Sequence, residues 1–120
     1  RYLAGITEVA LKEFVSDKTS WQKMLKNEVL EADLIEEREK LKSHIPEEAL
    51  PYFLANNGKV TEIEYPVSQY PAKVKSLNLE KTPVFSGKLI GVKGQYLMFD
   101  NNTVFNVRNS EGYKVIITIS

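Results

Sequence analysis

Lys73, Lys75, Lys81, Lys88 and Lys93 recur through the second half of the chain, with Tyr70 and Tyr96 among them. Ammonium groups interleaved with aromatic rings on a small β unit suit single-stranded nucleic acid, because cations follow the phosphates while rings stack on bases. The competing reading is that these lysines are solvated and blunt exposed strand edges. No other residue set points to a reaction. His44 is the only histidine, and near a helix end it reads as a surface or capping residue. Asp17, Asp33, Glu36, Glu37 and Glu39 are dense, but they lack HExxH or EF-hand spacing and read as a solvated helix face. GxSxG is absent, so no serine occupies a nucleophile elbow. Gly87, Gly91 and Gly94 precede no helical pattern and read as hairpin glycines, not a phosphate loop. There is no cysteine, which excludes disulfides, thiolate metal sites and cysteine nucleophiles. Neither a metal nor a cofactor is expected.

These residues need a scaffold, and composition bounds it. With 120 residues the chain makes one domain or two small lobes, long enough for a real core. Apolar residues at 42% and charged residues at 27% are ordinary for a soluble globular protein. No apolar run approaches a membrane span and no leader is visible, so a cytoplasmic protein away from membranes is expected. Formal charge is zero, which speaks against a dedicated nucleic-acid binder on net charge alone. The distribution is uneven: residues 1–58 hold 8 Lys/Arg against 11 Asp/Glu, and residues 59–120 hold 8 against 5.

The first 58 residues read as helices. Leu3, Ile6, Ala10 and Phe14 recur at a 3.6 period and predict a helix over 3–15. Thr19 or Ser20 caps a short second helix carrying Trp21, Met24 and Leu25. Leu30, Leu34, Leu41 and Ile45 mark a longer third, stopped by Pro46. Pro46-Glu47-Glu48 opens a fourth, ending near Asn56-Asn57 with Gly58 as its left-handed cap.

Residues 59–120 change to a period of 2. A strand is expected over 60–65, an edge or bend between Pro66 and Pro71, and a further strand within 72–77. From Gly87 to Ile119 four strands are expected, with turns at Lys93-Gly94, Asn101-Asn102 and Ser110-Glu111-Gly112. This register places Leu89, Tyr96, Met98, Phe105, Val107, Val115, Ile117 and Ile119 on one inward row, with Tyr96 across from Gly91. The opposite row, Ile90, Leu97, Phe99, Val104 and Ile116, is apolar too, so a cover for the second face is expected. The fold class is α+β: N-terminal helices (1–58), then an antiparallel β-meander (59–120) in a small barrel-like or strongly curved sheet.

The segments RYLAGITEVALKEFVSDKTSWQKMLKNE, EIEYPVSQYPAKVKSLNLEKTP and GKLIGVKGQYLMFDNNTVFNVRNSEGY resemble the C-terminal part of an uncharacterised bacterial family, domain-of-unknown-function family 2797. The resemblance covers nearly the whole chain. It implies a parent protein with zinc-ribbon-like Cys pairs followed by a segment similar to the GIY-YIG endonuclease fold. A chain starting at Arg1 would then be a piece of that protein, with its upstream portion as one expected partner. By the resemblance, Glu8 in Gly5-Ile6-Thr7-Glu8 corresponds to a metal-binding glutamate. One carboxylate cannot hold Mg²⁺ in a competent site, and within these residues Glu8 also reads as a solvent-facing partner of Lys12. Two functions stay open: a non-catalytic module that assists nucleic-acid binding, or the remainder of a metal-dependent nuclease. Residues 1–120 by themselves are not expected to be an enzyme.

Overall fold

Helical stripes and hairpin glycines take their places in a computed structural model of the chain, which describes residues 1–16, 18–53 and 58–120. Asp17 and the expected helix end at Asn56-Asn57 lie outside the described residues. The chain divides into two units, Arg1–Ser20 with Val29–Ile63, and Trp21–Glu28 with Glu64–Ser120.

In the first unit, α1 (Tyr2–Leu11) turns Leu3, Ile6, Ala10 and Leu11 to its half-buried side. α3 (Leu34–Lys42) begins four residues later than its apolar stripe predicts. The cause is Asp33, whose carboxylate accepts the N–H groups of Ile35 (2.9 Å) and Glu36 (3.1 Å) and so fixes the helix start. Leu30, 90% exposed, is left outside the helix. Beyond Pro46 a 3₁₀ turn (Glu47–Ala49) leads into α4 (Leu50–Phe53), with Pro51 in the first turn where its missing N–H costs nothing. Ile45 and Ala49 are buried here. Arg38 donates to the Phe53 carbonyl (2.8 Å) and lies over that ring. Gly58 has φ +70°, the left-handed conformation expected of it.

The second unit holds a four-stranded sheet of order β1-β4-β3-β2: β1 (Lys75–Ser76), β2 (Leu89–Lys93), β3 (Tyr96–Phe99) and β4 (Thr103–Asn106). β2, β3 and β4 form the expected antiparallel run. The fourth strand is not the expected C-terminal one. β1 lies parallel to β4, with Lys75 N–H on Asn102 O and Leu77 N–H on Val104 O, both 2.8 Å. The sheet is therefore mixed and does not close into a barrel. Two features divert the C-terminal segment. β1 already occupies the free edge of β4, and the Asn106 carboxamide accepts Asn109 N–H, drawing the chain into a 3₁₀ turn at Arg108–Ser110. Gly112 is left-handed (φ +86°) as expected, but no strand follows it, and Val115, Ile116, Ile117 and Ile119 are exposed. Residues 60–65 likewise form no strand; Val67 makes a single antiparallel bridge to Gly91 at the outer edge of β2.

Both hairpins close one position away from expectation. Lys93 pairs with Tyr96, so Gly94-Gln95 is the loop, with positive φ (+58°) at Gly94 alone, the type II′ pattern. Met98 pairs with Val104 around Asp100-Asn101-Asn102, with Asn102 left-handed (φ +62°) and Asn101 Oδ1 holding Thr103 N–H. A single step of register exchanges the two faces of a strand. Val104 is consequently buried beside Met98, and Phe105 is only half-buried on the other face. Gly91 faces Met98, not Tyr96; a Cβ there would stand 2.8 Å from the Met98 methyl and 2.9 Å from both Val67 methyls. The core joins α2 (Trp21–Leu25) to this face: Leu25, Met98 and Val104 are buried, with Trp21, Met24, Val67, Val74, Ile90 and Tyr96 packed around them.

Candidate functional site

The five lysines do not form one surface. Lys73, Lys75, Lys81 and Lys88 are exposed, and none makes an ion pair among the described residues. Lys75 lies on β1, level with Thr103, so alternation puts it on the same sheet face as Phe105 and Leu97. Lys81 lies in a turn that Asn78 organises by accepting the N–H groups of Glu80 and Lys81. Lys88 precedes β2, its N–H on the Asp100 carboxylate and its carbonyl receiving Asp100 N–H. Lys75 and Lys88 thus flank the Asp100–Asn102 turn from opposite edges, separated by about 14 Å if three strand spacings are counted.

Lys93, expected at solvent with the others, is instead 8% exposed. Its ammonium donates to Met24 O (3.1 Å) and Asn27 Oδ1 (3.4 Å) and lies over the rings of Tyr65 and Tyr70 at 5.1 and 5.0 Å. The register decides this: facing Tyr96, Lys93 points to the side that α2 covers. A buried cation is tolerated where carbonyl dipoles and π faces replace water. The end of α2 is built to receive it. Asn27 is left-handed, Glu28 N–H reaches Lys23 O and Asn27 N–H reaches Met24 O, a Schellman ending.

Both tyrosines of the candidate set are engaged on that face. Tyr70 lies under Lys93, while Tyr96 stacks on Trp21 (5.9 Å, 10°) and its hydroxyl receives the Asn106 amide. The opposite face carries Val92, Leu97, Phe99 and Phe105, all half-buried, with Leu89 51% exposed. Phe85 meets Phe99 edge-on there at 4.9 Å. The sequence carries a signal for this second aromatic set, the apolar row Leu97 and Phe99; Phe105 joins it only through the three-residue loop that pairs it with Leu97.

A cleft of about 240 Å³ lies where β1 and β4 end, lined by Ser76, Asn78, Glu80, Asn106, Ser110 and Tyr113 among others. The Tyr113 hydroxyl donates to the Glu80 carboxylate, and that hydrogen bond, with the charge behind it, holds the phenol above its usual pKa. Nothing in the alternation of the sequence brings Glu80 and Tyr113 together.

In the first unit Glu8 is exposed on α1, and no ion pair joins it to Lys12 among the described residues. His44 stacks on Phe14 at 3.7 Å. Asp33 is a helix cap, Glu36 and Glu37 pair with Lys40, and Glu39 pairs with Lys42. The two glutamates raise the Lys40 pKa, Glu37 foremost through its hydrogen bond. Among the described residues no cluster of His, Cys, Asp or Glu could hold a metal, and no helix is long and apolar enough to cross a membrane. No curated protein and no solved structure matches the chain. The family described as protein of unknown function, DUF2797, matches residues 1–115, and the chain belongs to that family.

Proposed function

We propose that this chain is a non-catalytic module of a DUF2797 protein that assists nucleic-acid binding through Lys73, Lys75, Lys81 and Lys88. The supporting observation is electrostatic. The unit that carries these lysines, Trp21–Glu28 with Glu64–Ser120, holds nine Lys/Arg against five Asp/Glu. The four ammonium groups are exposed and unpaired among the described residues, and so are available to phosphates. Cations placed this way give weak, sequence-tolerant association driven by counterion release. Lys93 contributes to the potential of the unit but not to contacts.

Titration of a labelled single-stranded oligonucleotide against salt tests the proposal. Three or four phosphate contacts give a slope of log K on log salt of roughly −2 to −3, at about −0.7 per phosphate. The double substitution Lys73→Glu and Lys75→Glu flattens that slope. Absence of binding at low salt up to near-millimolar protein refutes the proposal.

A further inference from the structure

We infer that the face of the sheet opposite α2 is a base-stacking platform for single-stranded nucleic acid, with Phe99 and Phe105 as the stacking rings. This rests on the phosphate-binding role proposed for the lysines and adds what the bases would do. α2 packs on the Met98 and Val104 side, where Trp21 and Tyr96 already stack on each other. The other side carries Phe99 and Phe105, both half-buried, with Val92, Leu97 and the exposed Leu89, and Phe85 meets the Phe99 ring edge-on. Leu97 pairs with Phe105 and Leu89 with Phe99, so the two rings stand on adjacent antiparallel strands and share one face.

Charge complementarity names the occupant. The platform has an ammonium group at one edge, Lys75 on β1 beside Thr103, within a unit of nine Lys/Arg against five Asp/Glu. Asp100 is the acidic group of the adjoining turn, and its carboxylate is engaged by the backbone N–H of Lys88. An apolar aromatic surface beside a cation, on a unit of net positive charge, fits a ligand with flat π faces and a polyanionic backbone, as in strands laid across a sheet whose aromatics stack bases. A duplex keeps its bases stacked within itself and offers no such faces, so the ligand is single-stranded.

The experiment uses the full 120-residue chain with two labelled probes of equal length, oligothymidylate and an abasic strand that keeps only sugar and phosphate. Phe99→Leu and Phe105→Leu are each expected to weaken oligothymidylate binding about tenfold, the scale of one lost base stack. Both should leave the salt slope and the binding of the abasic strand unchanged. Phe99→Tyr keeps the ring and should bind like the parent chain, which guards against a leucine variant that merely unfolds. Phe99→Trp should show fluorescence quenching on oligothymidylate beyond that of Trp21 in the parent chain. Equal affinity of the parent chain for the two probes, or leucine variants that lose nothing, overturns the platform while the lysine reading stands. Failure of the parent chain to bind either probe overturns both.

Discussion

Lys93 shows how one position sets the role of a side chain. As the partner of Tyr96 it reaches into the space between the sheet and α2, where Met24 O, Asn27 Oδ1 and two tyrosine rings receive the ammonium. Replacing it by methionine keeps an apolar stem and removes the donors. The expected loss is about 1–2 kcal/mol, because the lost hydrogen bonds and ring contacts are partly offset by relief of desolvation. Chemical denaturation of Lys93→Met measures it, and unchanged stability would show that the ammonium does not secure α2. Tyr113 offers a test by pH. Its pKa is raised above the ordinary value of 10.0 by the hydrogen bond to Glu80 and by that carboxylate's charge. A raised folded pKa means that the interaction's stabilisation is complete below the unfolded value and is lost as pH rises through the folded one. Phenolate absorbance should therefore place one tyrosine above the ordinary range in the parent chain. That tyrosine should return to the ordinary range in Glu80→Gln.

Hairpin loops, in turn, set which residues meet. The three-residue loop Asp100-Asn101-Asn102, with Asn102 left-handed at its end, pairs Met98 with Val104 and leaves Phe105 half-buried on the face away from α2. A two-residue loop at Asn101-Asn102 would have reversed those places. Both loops use asparagine chemistry, since asparagine tolerates positive φ and its side chain can hold a nearby N–H. The sequence located this turn but did not settle its length. Asn102→Ala should cost about 1 kcal/mol, the order of penalty for a Cβ in the left-handed region, and Asn102→Gly should not. Equal stability of the two variants, measured by urea unfolding, would speak against this loop. The parallel pairing of β1 was less accessible still. Lys75 and Ser76 carry no alternation of their own, and their place follows from the free edge that β4 presents.

The molecule as a whole separates its charge more sharply than its halves do. Moving Trp21–Glu28 to the unit that contains the sheet gives that unit nine Lys/Arg against five Asp/Glu, and leaves seven against eleven in the other. The segment after Gly112 makes no strand, and Ile116, Ile117 and Ile119 are 83%, 75% and 92% exposed. Removing residues 116–120 should alter stability by less than about 0.5 kcal/mol, as for surface changes generally. The same deletion should reduce self-association, because an unpaired run of β-branched residues is a template for intermolecular pairing. Thermal unfolding and gel filtration check the two outcomes, and a marked loss of stability would mean that the segment is packed.

By itself the sequence determined the α+β class, the helices around Trp21 and Leu34, the neighbourhood but not the bounds of the glycine and asparagine turns, and the family, because each rests on periodicity, capping or chemistry within a few residues. Only the folded chain decided that Val104 and not Phe105 is buried, that Lys93 is enclosed, that β1 completes a mixed sheet and that Glu80 meets Tyr113. Those outcomes depend on loop length and on competition for one strand edge. A shift of a single residue reverses every face in a strand, and local preferences are nearly indifferent to it.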